Sequence, residues 1–189
     1  MNRRWILIGL LLMAAGLASW LTGLDDGVRD LLRLPLASPL RGAVLHLTRL
    51  GSLLVLGPIA LLVVILLALR GARRHALWLF LTIASGRLTV ELVKLAVMRP
   101  RPPQADRLDL VTSWSFPSSH SAGTMLTCLA LAMLVPTRAA LAAAIGFAIL
   151  IGWSRLALAV HWPGDVLAGW GFAILWVGLA RRYGPPNAR

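Results

Sequence analysis

The sequence predicts an all-α, polytopic membrane protein: a single domain over residues 1–189, built as a bundle of six transmembrane helices with a short interfacial helical segment between the first and the second. Three observations predict it. Apolar residues make up 58% of the chain and charged ones 14%, with a mean hydropathy of +0.78, whereas a soluble domain averages about 45–50% apolar and about 25% charged. Six segments approach the roughly 17–25 apolar residues that a helix needs to cross a bilayer. The unusual polar clusters gather at the ends of those segments that share one side.

The first span is predicted over residues 5–22. Met-Asn-Arg-Arg ahead of it is like the start of a signal peptide, but the apolar run from Trp5 to Leu21 is long for that class and five spans follow, so it reads as an uncleaved helix. Residues 28–50, punctuated by Pro35 and Pro39, read as a short amphipathic helix or helix pair lying in the interface. The second span covers 53–69 and the third 76–97, after which Pro100, Pro102 and Pro103 forbid continuation. Pro117 followed by serines starts the fourth, 119–135. The fifth, 139–158, and the sixth, 164–180, are separated by a turn that Pro163 and Gly164 reset. Arg3, Arg4, Arg70, Arg73, Arg74, Arg138, Arg181 and Arg182 then share one side, which the positive-inside rule makes cytoplasmic, with both termini inside. Segments 23–52, 98–118 and 159–163 face outward and hold most of the acids.

A formal charge of +12 comes from scattered arginines and one lysine, which suits membrane orientation and anionic head groups rather than a nucleic-acid stripe. Cys128 alone supports neither a disulfide framework nor a cysteine zinc site, and reads as a small packing residue in the fourth span. Trp114, Trp153 and Trp162 read as an interfacial aromatic belt.

Charged residues inside spans are costly, and they mark candidate sites. Arg87, Glu91 and Lys94 fall on one face of the third helix. Arg87 and Glu91 read as a buried structural ion pair. Lys94, near the outer end, can converge with Arg101 into an oxyanion clamp, or both can simply snorkel to the interface. At the fourth helix start, Ser118 and Ser119 can cap the helix or bind a ligand, and free backbone N–H groups there suit a phosphate. His120 in that first turn suggests a proton donor beside a bound anion. In the third cluster Arg155 should face a polar cavity, while Asp165 lies within reach of His161, either to orient a nucleophilic imidazole or to close the turn structurally. Three cations, backbone donors, two histidines and no clustered carboxylates fit metal-free phosphoryl transfer through a phosphohistidine.

Lys-x6-Arg-Pro, Pro-Ser-x-His and Ser-Arg-x5-His-x3-Asp, over residues 94–165, together resemble the three-part signature of the type 2 phosphatidic acid phosphatase superfamily. Lys94, Arg101 and Pro102 match the first part, Pro117, Ser118 and His120 the second, and Ser154, Arg155, His161 and Asp165 the third. Ser119 stands where that family usually has glycine. The resemblance implies His161 as nucleophile, Asp165 as its orienting partner, His120 as general acid, and Lys94, Arg101, Ser118, Ser119 and Arg155 as phosphate binders, with no cofactor or metal. It further implies hydrolysis of a lipid phosphate or pyrophosphate, such as undecaprenyl pyrophosphate, phosphatidylglycerol phosphate or phosphatidic acid, at the outer face of a bacterial inner membrane. Partners are then membrane lipids, not nucleic acid. A lipid phosphotransferase shares the chemistry up to the phosphohistidine, and an anion or lipid transporter is the non-enzymatic alternative.

Overall fold

Eight α-helices succeed one another in the computed structural model, which describes residues 3–135 and 137–185. They are α1 (Arg3–Leu21), α2 (Leu24–Leu32), α3 (Arg41–Leu50), α4 (Leu53–Leu69), α5 (Arg73–Val97), α6 (Ser119–Ala132), α7 (Arg138–Ala157) and α8 (Pro163–Ala180), with a 3-10 turn at Gln104–Asp106. The extreme termini, expected on the cytoplasmic side, lie outside the described residues.

Among the described residues, five stretches are long and apolar enough to cross a membrane: α1, Arg41–Leu69, α5, α7 and α8. Six were expected, and the difference is α6. Its 14 residues rise about 21 Å at 1.5 Å each, short of the roughly 30 Å hydrocarbon core. The chain leaves the helix after Ala132, shortly before Pro136, whose ring disfavours helical geometry in the residue ahead of it. A short helix is tolerated here because protein surrounds it: Ser121 to Thr127, Leu129 and Ala130 are buried against α4, α5, α7 and α8. The segment expected in the interface, 28–50, forms parts of two helices, α2 and α3, and α3 leads through Gly51 and Ser52 into α4 as one 29-residue apolar stretch.

Two ends of the bundle can be told apart by their ties. At one, Leu34 N–H donates to Ala157 O, Leu108 N–H to Leu158 O and Ser118 N–H to Asp165 O. At the other, Trp78 Nε1–H at the start of α5 donates to Ala180 O at the end of α8, 3.0 Å away. Between them Met125, Leu126 and Leu129 of α6 pack with Ala148 of α7 and Ala173, Ile174 and Val177 of α8. Since lipid tails are as apolar as leucine, such packing is driven by close fit, which favours small residues at helix contacts.

The α1–α8 seam is the closest such fit. A methyl at Gly9 would sit 2.8 Å from Gly171 O, one at Gly16 2.5 Å from Gly164 O, and one at Gly171 2.6 Å from Gly9 O. The nearest atoms there are backbone, so nothing can give cheaply. Gly171→Ala is therefore expected to force the helices apart and to cost about 1–3 kcal/mol, seen as a lower melting temperature in detergent. An unchanged melting temperature would show that the seam is looser than its spacing.

Candidate active site

Helix ends place most of the reactive groups. α5 stops when Met98 turns left-handed (φ 48°), its N–H still bonded to Lys94 O, and the proline-rich run that follows carries Arg99 and Arg101 out over the end of the bundle. α6 starts at the N-cap Ser118, whose hydroxyl accepts from Ser121 N–H and, at 3.0 Å, from Ser121 Oγ. The capping reading of Ser118 is thus what its side chain does. Between α7 and α8 the turn needs a left-handed Ala159 (φ 53°), an uncommon state for a residue with a Cβ, and this turn delivers His161 and Asp165.

His161 is 1% exposed, and its two nitrogens differ. Nε2 lies 2.9 Å from Arg101 Nη1. Arginine only donates, so Nε2 must be the acceptor and the ring proton sits on Nδ1. Nδ1 in turn faces Asp165 Oδ2 at 3.3 Å. The imidazole is held as the tautomer whose Nε2 carries the lone pair, here accepting from Arg101. Burial, followed by Arg101, Arg155 and Lys94, holds its pKa well below the usual 6.5, so the ring is neutral at pH 7.

Asp165 is fully buried and surrounded by donors. Oδ2 also accepts from Ser115 Oγ and from Trp162 N–H (2.9 Å), and Oδ1 from Arg99 Nη1 at 2.8 Å. Arg99 spans onward to Asp25 Oδ2 at 2.6 Å, while Trp20 (4.6 Å) and Trp162 (5.4 Å) lie against its guanidinium. Asp25 is itself held by Ser19 Oγ and by Gly164 N–H. Arg99, Ser115 and Asp25 were missed as site residues from sequence. Asp25 offered no signal, since the acid that matters lies 140 residues from its partner Asp165. Trp162, expected in an aromatic belt, lies over the cations Arg29 and Arg99.

The cations converge. Lys94 Nζ, 2% exposed, donates to Trp114 O at 2.9 Å, and Arg101 Nη2 reaches the same carbonyl at 3.2 Å. Neither is merely snorkelling. Burial and then Arg155 push Arg101 down to about 10, leaving it cationic at pH 7. Arg155, 1% exposed, gives Nη1 to Thr48 Oγ1 (2.8 Å) and Asp109 Oδ2 (3.2 Å), while its buried Nε has no partner. A buried guanidinium edge with an unused N–H is suited to an anion's oxygen.

His120 lines a neighbouring cavity of about 160 Å³ with Gly51, Leu53, Arg87, Val90, Glu91, Ser119 and Gly123. Here one expectation is corrected. Arg87 and Glu91 do not form an ion pair: Ser119 Oγ donates to Glu91 Oε1 at 2.6 Å, and Arg87 Nη2 turns to Thr127 Oγ1 at 3.4 Å. The hydroxyl competes for the carboxylate one turn away, and Gly123 leaves a flat space for the guanidinium on α6. Ser119, expected as a phosphate binder, points its hydroxyl at Glu91.

The sequence profile of the PAP2 superfamily matches residues 75–189. The chain belongs to the PAP2 superfamily. The undecaprenyl-diphosphatase BcrC of Bacillus subtilis is 31% identical over 108 residues, which is 55% of each protein, so the chain spans about half the length of that curated relative. The crystal structure of a transmembrane PAP2-type phosphatidylglycerolphosphate phosphatase from Bacillus subtilis is similar, with a TM-score of 0.76 at 25% identity over 95% of this chain and 94% of that one. Aquifex aeolicus LpxE is similar too, with a TM-score of 0.64 at 26% identity over 82% and 92%. The PAP2 profile begins within α5, so α1 and Asp25 lie outside it although they complete the surroundings of Asp165.

Proposed function

We propose that this PAP2 protein is an integral membrane lipid phosphatase that works through a phosphohistidine. One observation carries the reading: a buried, neutral His161 whose Nε2 lone pair faces Arg101 while Asp165 holds Nδ1–H. Nε2 attacks phosphorus as the bond to the leaving oxygen breaks, and His120 gives that oxygen a proton. Water then attacks the phosphohistidine, His120 takes the proton back, and orthophosphate leaves. Lys94, Arg101, the unused edge of Arg155 and the backbone N–H of Ser119 at the start of α6 hold the three equatorial oxygens, which is mostly electrostatic work.

The substrate class is a lipid carrying a terminal phosphate or pyrophosphate: undecaprenyl pyrophosphate, phosphatidylglycerol phosphate or phosphatidic acid. The PAP2 membership and the two phosphatase relatives support it. We place the site outward on a bacterial cytoplasmic membrane with both termini inside, α6 making a sixth crossing and α2 and α3 near the interface. The arginines after α4, before α7 and after α8 support that orientation.

The test is phosphate release by the purified protein from a panel of lipid phosphates and pyrophosphates, with and without a chelator. Release is expected to survive the chelator and to stop with vanadate, a mimic of five-coordinate phosphorus. Chelator-sensitive release would overturn the metal-free mechanism, and release from no donor would overturn hydrolysis in favour of transfer to a second lipid.

A further inference from the structure

Arg87 is a cation that the chemistry above does not use. It sits seven residues before Lys94 on α5, about 10 Å nearer the middle of the bundle at 1.5 Å per residue. Its guanidinium lies on Gly123, so that a Cβ there would come within 2.6 Å of Nη1. Gly123 is one turn past His120 on α6, about 5 Å deeper. Among the described residues, Nε of Arg87 is buried without a partner, Nη2 has only a long contact to Thr127 Oγ1, and no carboxylate lies within ion-pair distance. The guanidinium opens onto the 160 Å³ cavity that His120 also lines, whose edge includes the exposed Leu53 and the exposed Glu91. The one acid in that cavity, Glu91, is bonded to Ser119.

His120 and Arg87 share that cavity, so a substrate entering it meets both. With the terminal phosphoryl group held by Lys94, Arg101 and Arg155, the leaving oxygen faces His120, and the rest of the lipid must run from there toward the apolar interior. Whatever is attached next to the leaving oxygen passes Arg87. In a lipid monophosphate that is a carbon chain, which has no use for a cation. In a lipid diphosphate it is the inner phosphoryl group.

We propose that Arg87 forms a leaving-group subsite for the inner phosphate of a lipid diphosphate, making this PAP2 protein selective for diphosphates over monophosphates. The inference rests on the phosphatase reading and specifies its substrate. In the step concerned, the bond between the outer phosphorus and the bridging oxygen breaks as His161 Nε2 bonds to that phosphorus. The bridging oxygen takes the proton of His120, and a lipid monophosphate departs. Negative charge on the inner phosphoryl group grows as it leaves, so a fixed guanidinium beside it lowers the barrier more than it tightens ground-state binding.

The experiment measures kcat/KM for a prenyl diphosphate and for the prenyl monophosphate of the same chain, in wild type, Arg87→Gln, Arg87→Lys and Gly123→Ala. Arg87→Gln is expected to lower the diphosphate-to-monophosphate ratio about 100-fold, chiefly through kcat, with Arg87→Lys intermediate because it keeps the charge but not the fork. Gly123→Ala, which only displaces the guanidinium, is expected to lower the same ratio and keeps the test in force if Arg87→Gln does not fold. A ratio within threefold of wild type in Arg87→Gln, or in Gly123→Ala where that variant alone folds, would overturn the subsite. Such a result is distinct from a wild type inactive on both donors, which would overturn the phosphatase reading and the subsite together.

Discussion

His161→Ala is expected to abolish phosphate release, by at least about 10⁴-fold, while leaving the protein folded. The two halves of that expectation have separate causes. Activity goes because the imidazole Nε2 is the one nitrogen acceptor that Arg101 holds among the described residues, its other acceptors being carbonyl oxygens and the Ser113 hydroxyl. The fold stays because Asp165 keeps three donors when the imidazole is gone: Arg99, Ser115 and the backbone N–H of Trp162. A direct check is to incubate the enzyme with substrate labelled in the terminal phosphate and quench in alkali, where phosphohistidine survives. Label should appear on wild type and be missing from His161→Ala. Label on the variant would place the nucleophile elsewhere. The depressed pKa of His161 adds a pH dependence with a definite sign: protonation, which would destroy the nucleophile, sets in only well below 6.5. The loss of kcat/KM assigned to this ring should accordingly fall below that pH.

Arg99→Met is expected to have the largest effect on stability. The side chain is 5% exposed and bridges carboxylates that are 3% and 0% exposed. Removing it leaves two buried acids facing each other without a counter-charge, a situation that costs about 3–5 kcal/mol. For a chain of this length that is a fall in melting temperature on the order of 10 °C, and Asp165 loses its anchor as well. Lysine should recover part of the loss, since it keeps the charge but cannot fork across both acids. Combining Arg99→Met with Asp25→Asn should do so too, by removing one of the stranded charges. A melting temperature for Arg99→Met within about 2 °C of wild type would mean that the bridge contributes little.

What could be read from the sequence, and what could not, divides along range of interaction. Helices that identify themselves by apolar length were legible, and so were the Lys94, Arg101, His161 and Asp165 positions, because their chemistry is local in spacing. The structure indeed brings these four into contact through Trp114 O, Arg101 and His161. The length of α6 was not legible, since composition counts apolar residues without knowing that protein rather than lipid would surround them. Arg87 and Glu91 have the four-residue spacing of an ion pair, yet Ser119 from another helix takes the carboxylate. Arg99 stood in plain view as one of several arginines. Its role needed Asp25 and Asp165 to be seen together, and they meet only through the α1–α8 seam.

That seam sets an order of events during synthesis. α1 enters the membrane with its glycine face bare, and the helix that fits it follows after 148 further residues separate Gly16 from Gly164. At about 5–20 residues per second the interval is roughly 7–30 s. For somewhat more than half of it Asp25 waits without Arg99, and to its end without Gly164 N–H. A ribosome stalled before α8 would leave a chain holding Lys94, Arg101, His120, Arg155 and His161 but lacking Asp165, which α8 itself carries.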